Sequence, residues 1–178
     1  MVARRAVFTA SIGLGGGPSV PWPDWLDRLL SELVAEGPFV AATVPDPRVF
    51  PGTPDQVAAV RRFVRAQLGA HPALDDSVLV ASELAANAIA HTASGLTGGA
   101  FVVRIASLSP EHVAVLVVDG GADTEPRALE TGVDSESGRG LDVVKGLATA
   151  FWTTGPDGQR AVLAVIPPSA AIEAWRTA

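Results

Sequence analysis

The stretch DDSVLVASELAANAIAHT at 75–92 combines helical periodicity with polar residues at one fixed spacing. Asp75 and Asp76 suit the positive end of a helix dipole, so a helix is predicted from there to about Thr92. At 100° per residue, Val78, Ala85 and Ile89 lie on one side, while Glu83, Asn87 and His91, four apart, form a stripe on the other. Taken alone, a polar row on an amphipathic helix is a solvated face.

Upstream of this helix, TPDQ at 53–56 reads as a capping box. Thr53 would accept from the Gln56 N–H, the Gln56 side chain would answer to the Thr53 N–H, and Pro54 would take the first helical position, where a missing donor costs nothing. A helix is predicted from about Pro54 to Leu68, and FVAATV from Phe39 predicts a strand before it. Downstream, AFVVRIAS at 100–107 and HVAVLVVD at 112–119 read as two strands joined by a Ser-Pro turn. A helix from about Leu141 to Thr149 follows, then ATAFWTT and QRAVLAVI around the turn GPDG at 155–158, a second hairpin ended by Pro167 and Pro168. Strand, two helices, two strands, loop, helix and two strands together predict an α/β two-layer sandwich (α+β), a mixed, mostly antiparallel sheet with helices on one face.

The chain of 178 residues suits one main domain with a modest extension, and 48% hydrophobic residues supply a core. Thirteen Lys and Arg against 19 Asp and Glu give a net charge of −6, which argues against direct nucleic-acid binding, since that needs clustered cations. With no cysteine, disulfides, zinc fingers and thiol nucleophiles are excluded. No stretch approaches the ~20 apolar residues of a membrane span, and a cytoplasmic location without membrane association is expected. Residues 1–38 read as an N-terminal extension, 39–168 as the domain and 169–178 as a tail. Within the extension, GLGGGPSVPWP at 13–23 has linker composition. After Asp24, a plausible N-cap, residues Trp25, Leu26, Leu29, Leu30, Leu33 and Val34 recur at helical spacing until Gly37 and Pro38. Such a helix covers an apolar face of its own domain or docks on a partner.

Two further motifs bear on chemistry. VVDGG at 117–121 delivers Asp119 to the end of an apolar strand, with two glycines after it, which alone is ordinary turn chemistry. SGRGLDVV at 137–144 places glycines around Arg139 directly before a helix, where free N–H groups and the dipole favour an anion. Gly120 to Gly138 between them is long and polar, as functional loops often are. No GxxxxGK[ST] and no HExxH occur, and His71, His91 and His112 are scattered, so a P-loop enzyme and a zinc hydrolase are both excluded. Trp152 and Trp175 read as packing residues.

In order and context these motifs resemble the ATP-binding domain of the anti-sigma-factor serine kinases, over about Phe50 to Ile166. Those kinases belong to the GHKL superfamily with its Bergerat ATP-binding fold, which also contains histidine kinases, DNA gyrase B and Hsp90. ELAANAIAH at 83–91 looks like the N-box, DGG at 119–121 like the first glycine box and GRGL at 138–141 like the second, and FPGTPDQVAAVRRFV is similar to the version widespread in actinobacteria. The resemblance implies that Asp119 accepts from the exocyclic amine of adenine and that Gly121 leaves room for the base. It implies that Asn87 offers its carbonyl oxygen to Mg²⁺ and that Glu83 acts as general base, with His91 in a supporting place. Gly138, Gly140 and Leu141 would border the phosphates, Arg139 would neutralise charge there or face solvent, and 122–137 would form the lid. The implied function is an ATP-binding regulator, a serine/threonine kinase that phosphorylates an anti-sigma-factor antagonist and so controls a sigma factor; the alternative is a non-catalytic module that sequesters a partner. Relatives of this kind commonly pair as homodimers, and the resemblance extends that expectation to this chain. Where the first glycine box continues as Ala122-Asp123-Thr124, the sequence departs from the family's further glycine.

Overall fold

The computed structural model describes residues 43–121, 139–154 and 159–168. The elements are β1 (Arg48–Pro51), α1 (Gln56–Leu68), α2 (Leu74–His91), a 3-10 turn (Ala93–Gly95), β2 (Ala100–Ser107), β3 (Val113–Asp119), α3 (Arg139–Leu147), β4 (Ala150–Thr154) and β5 (Arg160–Ile166). The five strands form one sheet in the order β1-β2-β3-β5-β4, each neighbouring pair antiparallel. The expected α/β sandwich is therefore present, with β2–β3 and β4–β5 as its two expected hairpins.

Strand periodicity divides the sheet into two faces. Val103, Val115, Val117 and Val162 point to the inner face, where they pack with Val80, Leu84 and Ala88 of α2, Val60 and Val64 of α1 and Val144 of α3. Phe50 anchors this layer at β1, stacked on Phe101 at 5.6 Å between ring centroids and edge-on to Phe63 at 5.7 Å. Burying each such side chain contributes roughly 1.5–3 kcal/mol. Val102, Leu116, Val118 and Leu163 point to the opposite, outer face and form a second buried cluster.

Several details differ from the sequence reading. FVAATV is only partly within the described residues: Thr43 makes a single bridge to Ser107, and the first strand among the described residues is RVFP. The Thr53–Gln56 capping box is not formed. Instead, the Thr53 hydroxyl (2.6 Å) and the Gln56 amide (2.8 Å) both donate to the carboxylate of Asp55, the N-cap residue. An ionised carboxylate is the stronger acceptor, and these two bonds, Thr53 first, hold the Asp55 carboxyl below its ordinary range. α2 buries a broader arc than Val78, Ala85 and Ile89 predict, because it packs on the sheet with α1 and α3 on its flanks. Val80, Ala81, Leu84 and Ala88 are fully enclosed, and Glu83 and Asn87 lie half-buried at the margin of that arc. The predicted helix at 24–36, the turn at 155–158, the segment 122–138 and the tail lie outside the described residues.

Candidate functional site

β3 is apolar from Val113 to Val118 and ends on Asp119, whose side chain shares the inner face with Val117. Asp119 is 1% exposed. A carboxylate this deep must be hydrogen-bonded, and both of its oxygens are. The Gly121 N–H donates to Oδ1 at 2.9 Å, and the Arg160 guanidinium reaches Oδ2 through Nε at 3.1 Å and Nη2 at 2.9 Å. Burial pushes the Asp119 carboxyl above its ordinary range, and the Arg160 charge, the Gly121 N–H and the Arg160 hydrogen bonds offset only part of that. Arg160 stands directly opposite Asp119 in the β3–β5 register.

The glycines after Asp119 are held by the turn that follows α2. Gly120 N–H donates to Ser94 Oγ at 2.8 Å, and the Gly121 carbonyl accepts from Ala93 N–H at 2.8 Å. Thr92 fixes that turn, its hydroxyl donating to the Ala88 carbonyl and accepting from Ser94 N–H. Gly121 has φ +64°, a left-handed conformation in which a side chain would be strained.

At the other end of the site, Glu83 and Asn87 are one turn apart on α2, and the first turn of α3 packs against them. A Cβ placed on Gly140 would lie 2.6 Å from Glu83 Oε2 and 3.8 Å from Asn87 Nδ2, so only glycine permits this approach. Asn87 Nδ2 is buried and has no hydrogen-bond partner. Between the two ends lies a cavity of about 30 Å³, lined by Leu84, Asn87, Val117, Asp119, Leu141, Thr153, Arg160 and Val162.

The structure thus gathers Glu83, Asn87, Asp119, Gly121, Gly140 and Leu141 around one region of the inner face. Arg139 begins α3, and Gly138 lies outside the described residues. His91 is exposed in the last turn of α2 and does not line the cavity. Among the described residues, no group of three His, Cys, Asp or Glu is placed to hold a metal, and no helix is long and apolar enough to cross a membrane.

The profile of the histidine kinase-like ATPase domain matches residues 50–165, well over half of the chain. The chain belongs to this family. A comparison with curated proteins gave no match.

As a histidine kinase-like ATPase domain, the protein has a donor set that fits a magnesium nucleotide. The buried Asp119 carboxylate is an acceptor for an exocyclic amine, and Leu84, Val117, Leu141 and Val162 give the apolar walls that a purine requires. Asn87 brings an amide with one unsatisfied end, and its carbonyl is the hard oxygen that Mg²⁺ prefers. Among the described residues the cavity is smaller than the ~300–1,000 Å³ of a ligand pocket. Arg160, Thr153 and Ser94 were not foreseen from the sequence. Arg160 was in principle legible as a single cation at the start of an apolar strand, but its meaning depends on β5 pairing with β3.

Proposed function

We propose that the protein is an ATP-dependent serine/threonine kinase of the anti-sigma-factor type, acting on a protein antagonist of that regulatory system. The observation that carries this reading is the position of Glu83, one turn before Asn87 and against Gly140 in the first turn of α3. A domain that only held nucleotide would have no need of a carboxylate there.

Asp119 holds the adenine end by accepting the exocyclic amine, while Arg160 and Gly121 keep its carboxylate fixed. Asn87 would provide an oxygen ligand for Mg²⁺, and the N–H groups at the start of α3, with Gly140 among them, would be available to the phosphates. Bound Mg-ATP supplies the transferable γ-phosphoryl group. Glu83 accepts the proton of the attacking serine or threonine hydroxyl as the oxygen–phosphorus bond forms and ADP leaves with the electron pair of the bond it breaks. Leu141 and Leu84 exclude water from the base side of the site.

A second reading has a specific observation behind it. Asp119, already paired to Arg160, suits a regulator that sequesters a partner without turnover. Incubation with γ-labelled ATP and a candidate antagonist separates the two. Phosphate on the antagonist, lost at least ~100-fold in Glu83→Ala, supports the kinase. Magnesium-dependent nucleotide binding without transfer to any antagonist, or equal transfer by Glu83→Ala, removes it.

A further inference from the structure

The outer face of the sheet is as apolar as the inner one. An antiparallel sheet that turns one face to water alternates apolar with polar residues. β3 does not: Ala114, Leu116 and Val118 point outward just as Val113, Val115 and Val117 point inward. On β5, Ala161, Leu163 and Val165 continue the outer face, and all six of these outward residues are no more than 2% exposed. The helices α1, α2 and α3 all pack on the inner side. Among the described residues, only Val44, Val49 and Ala150 are partly buried hydrophobics against the outer cluster.

We propose that the amphipathic segment 24–36 lies across this outer face as a third layer of the domain. The chain enters the described body at that face. Thr43 exchanges backbone hydrogen bonds with Ser107 (2.8 and 3.0 Å), Val44 packs on the outer cluster, and Arg104 Nε donates to the Pro45 carbonyl at 2.9 Å. The six residues from Gly37 to Ala42 span at most ~20 Å, enough to bring the end of the segment over the middle strands. A helix of 13 residues is ~20 Å long and ~10 Å wide, which matches the three central strands β2, β3 and β5, set ~4.8 Å apart. The burial follows that outline, complete on the central strands and partial at Val49 and Ala150 on the flanking ones. Trp25, Leu26, Leu29, Leu30, Leu33 and Val34 supply the apolar stripe. The ten-residue tail 169–178 carries only Ile172 and Trp175 as large apolar residues, which makes it the poorer cover.

The absence of native cysteine allows a clean test in the full chain. Ala114→Cys, on the outer face of the central strand β3, is combined in turn with Leu29→Cys, Leu30→Cys and Leu33→Cys, and each pair is oxidised. At least one pair should form a disulfide within a single chain. A disulfide only between chains would assign the face to a second copy, and no disulfide in any pair would remove the segment from the face; either overturns the proposal. As a second measurement, alkylation of Ala114→Cys alone should be at least ~100-fold slower than that of Ala66→Cys, which is exposed on α1. Leu29→Glu with Leu33→Glu should restore at least ~10-fold of that rate while Ala88→Cys, buried on the inner side, stays protected. Unchanged protection in that variant, or protection lost only with Ile172→Glu and Trp175→Glu, overturns the proposal.

Discussion

The two ends of the site are built on opposite principles. Around Asp119 the polar groups engage one another: its carboxylate with Arg160 and Gly121, the Gly120 N–H with Ser94, and the Gly121 carbonyl with Ala93. Around Asn87 the packing is as close but the polar accounts are open, with a buried amide nitrogen unpartnered and a carboxylate facing a glycine. A satisfied network fixes geometry, whereas an unpartnered buried N–H donor is completed only by an acceptor, such as a phosphate oxygen. On the function proposed above, the Asp119 end would set which base is accepted and the Asn87 end the response to metal and phosphate.

The sharpest way to break the contrast is to disturb the turn that holds the Asp119 end. A Cβ on Gly95 would lie 1.8 Å from the Ile89 carbonyl oxygen, a backbone atom in the last turn of α2 that cannot move aside alone. Gly95→Ala is therefore expected to destabilise the protein by more than about 3 kcal/mol, measured as a fall in the denaturant midpoint. A midpoint within experimental error of the parent would show that this turn is not the fixed support described above.

Asp119→Asn should act less on folding than on binding. Asparagine keeps an acceptor for the Gly121 N–H but leaves Arg160 without its counter-charge, and since the Arg160 side chain is 18% exposed and partly hydrated, the cost should be ~1–2 kcal/mol. Affinity for an ATP analogue should fall at least ~10-fold. The pH dependence follows from the raised carboxyl of Asp119. Because the folded protein holds this proton more tightly than the unfolded chain, the group's contribution to stability is full below 3.8 and is lost as pH rises through the folded value. Nucleotide affinity has the opposite sign, since the amine needs the ionised acceptor, and it should fall as pH drops through the same window. Arg160→Ala removes the opposing charge and should shift that fall to higher pH; titrations of affinity against pH in parent and variant check the direction.

Asn87→Ala should reverse the balance between stability and binding. Removing a buried, unpartnered amide relieves a desolvation cost, so stability should stay within ~1 kcal/mol of the parent or rise. The gain in nucleotide affinity on adding Mg²⁺ should nonetheless drop at least ~10-fold. A variant that lost stability strongly while keeping its magnesium response would show that Asn87 serves packing rather than the metal.

What could be read in the sequence was whatever depends on local spacing. α2 and both hairpins follow from periodicity and turn chemistry within short windows. The strand RVFP escapes a reading by propensity because it is only four residues long and contains a proline, which edge strands tolerate and propensity penalises. The capping box is absent because the Asp55 carboxylate, between its two partners, draws the Thr53 hydroxyl and the Gln56 amide to itself as donors, while the Gln56 N–H donates to the Thr53 carbonyl. Glu83, Asn87 and Asp119 could be named from motif order, but Arg160 and Ser94 meet the site only through strand register and a turn packed 26 residues from its partner.

The gentlest test of the contrast is Gly140→Ala. The added methyl would meet Glu83 Oε2 at 2.6 Å, but this is the free end of a half-buried side chain that can rotate away, unlike the carbonyl facing Gly95. Alanine also suits the first turn of α3 better than glycine, by ~0.5–1 kcal/mol. Steric cost and helix propensity then nearly cancel, and the stability change should stay below about 1 kcal/mol. Any phosphoryl transfer should suffer more, because the displaced carboxylate is the one assigned to the hydroxyl proton, and a loss of about 10-fold in kcat with KM for ATP little changed is expected. An equal rise in KM would place the Gly140 contact in nucleotide binding instead, and would extend to the Asn87 end the role assigned here to the Asp119 end.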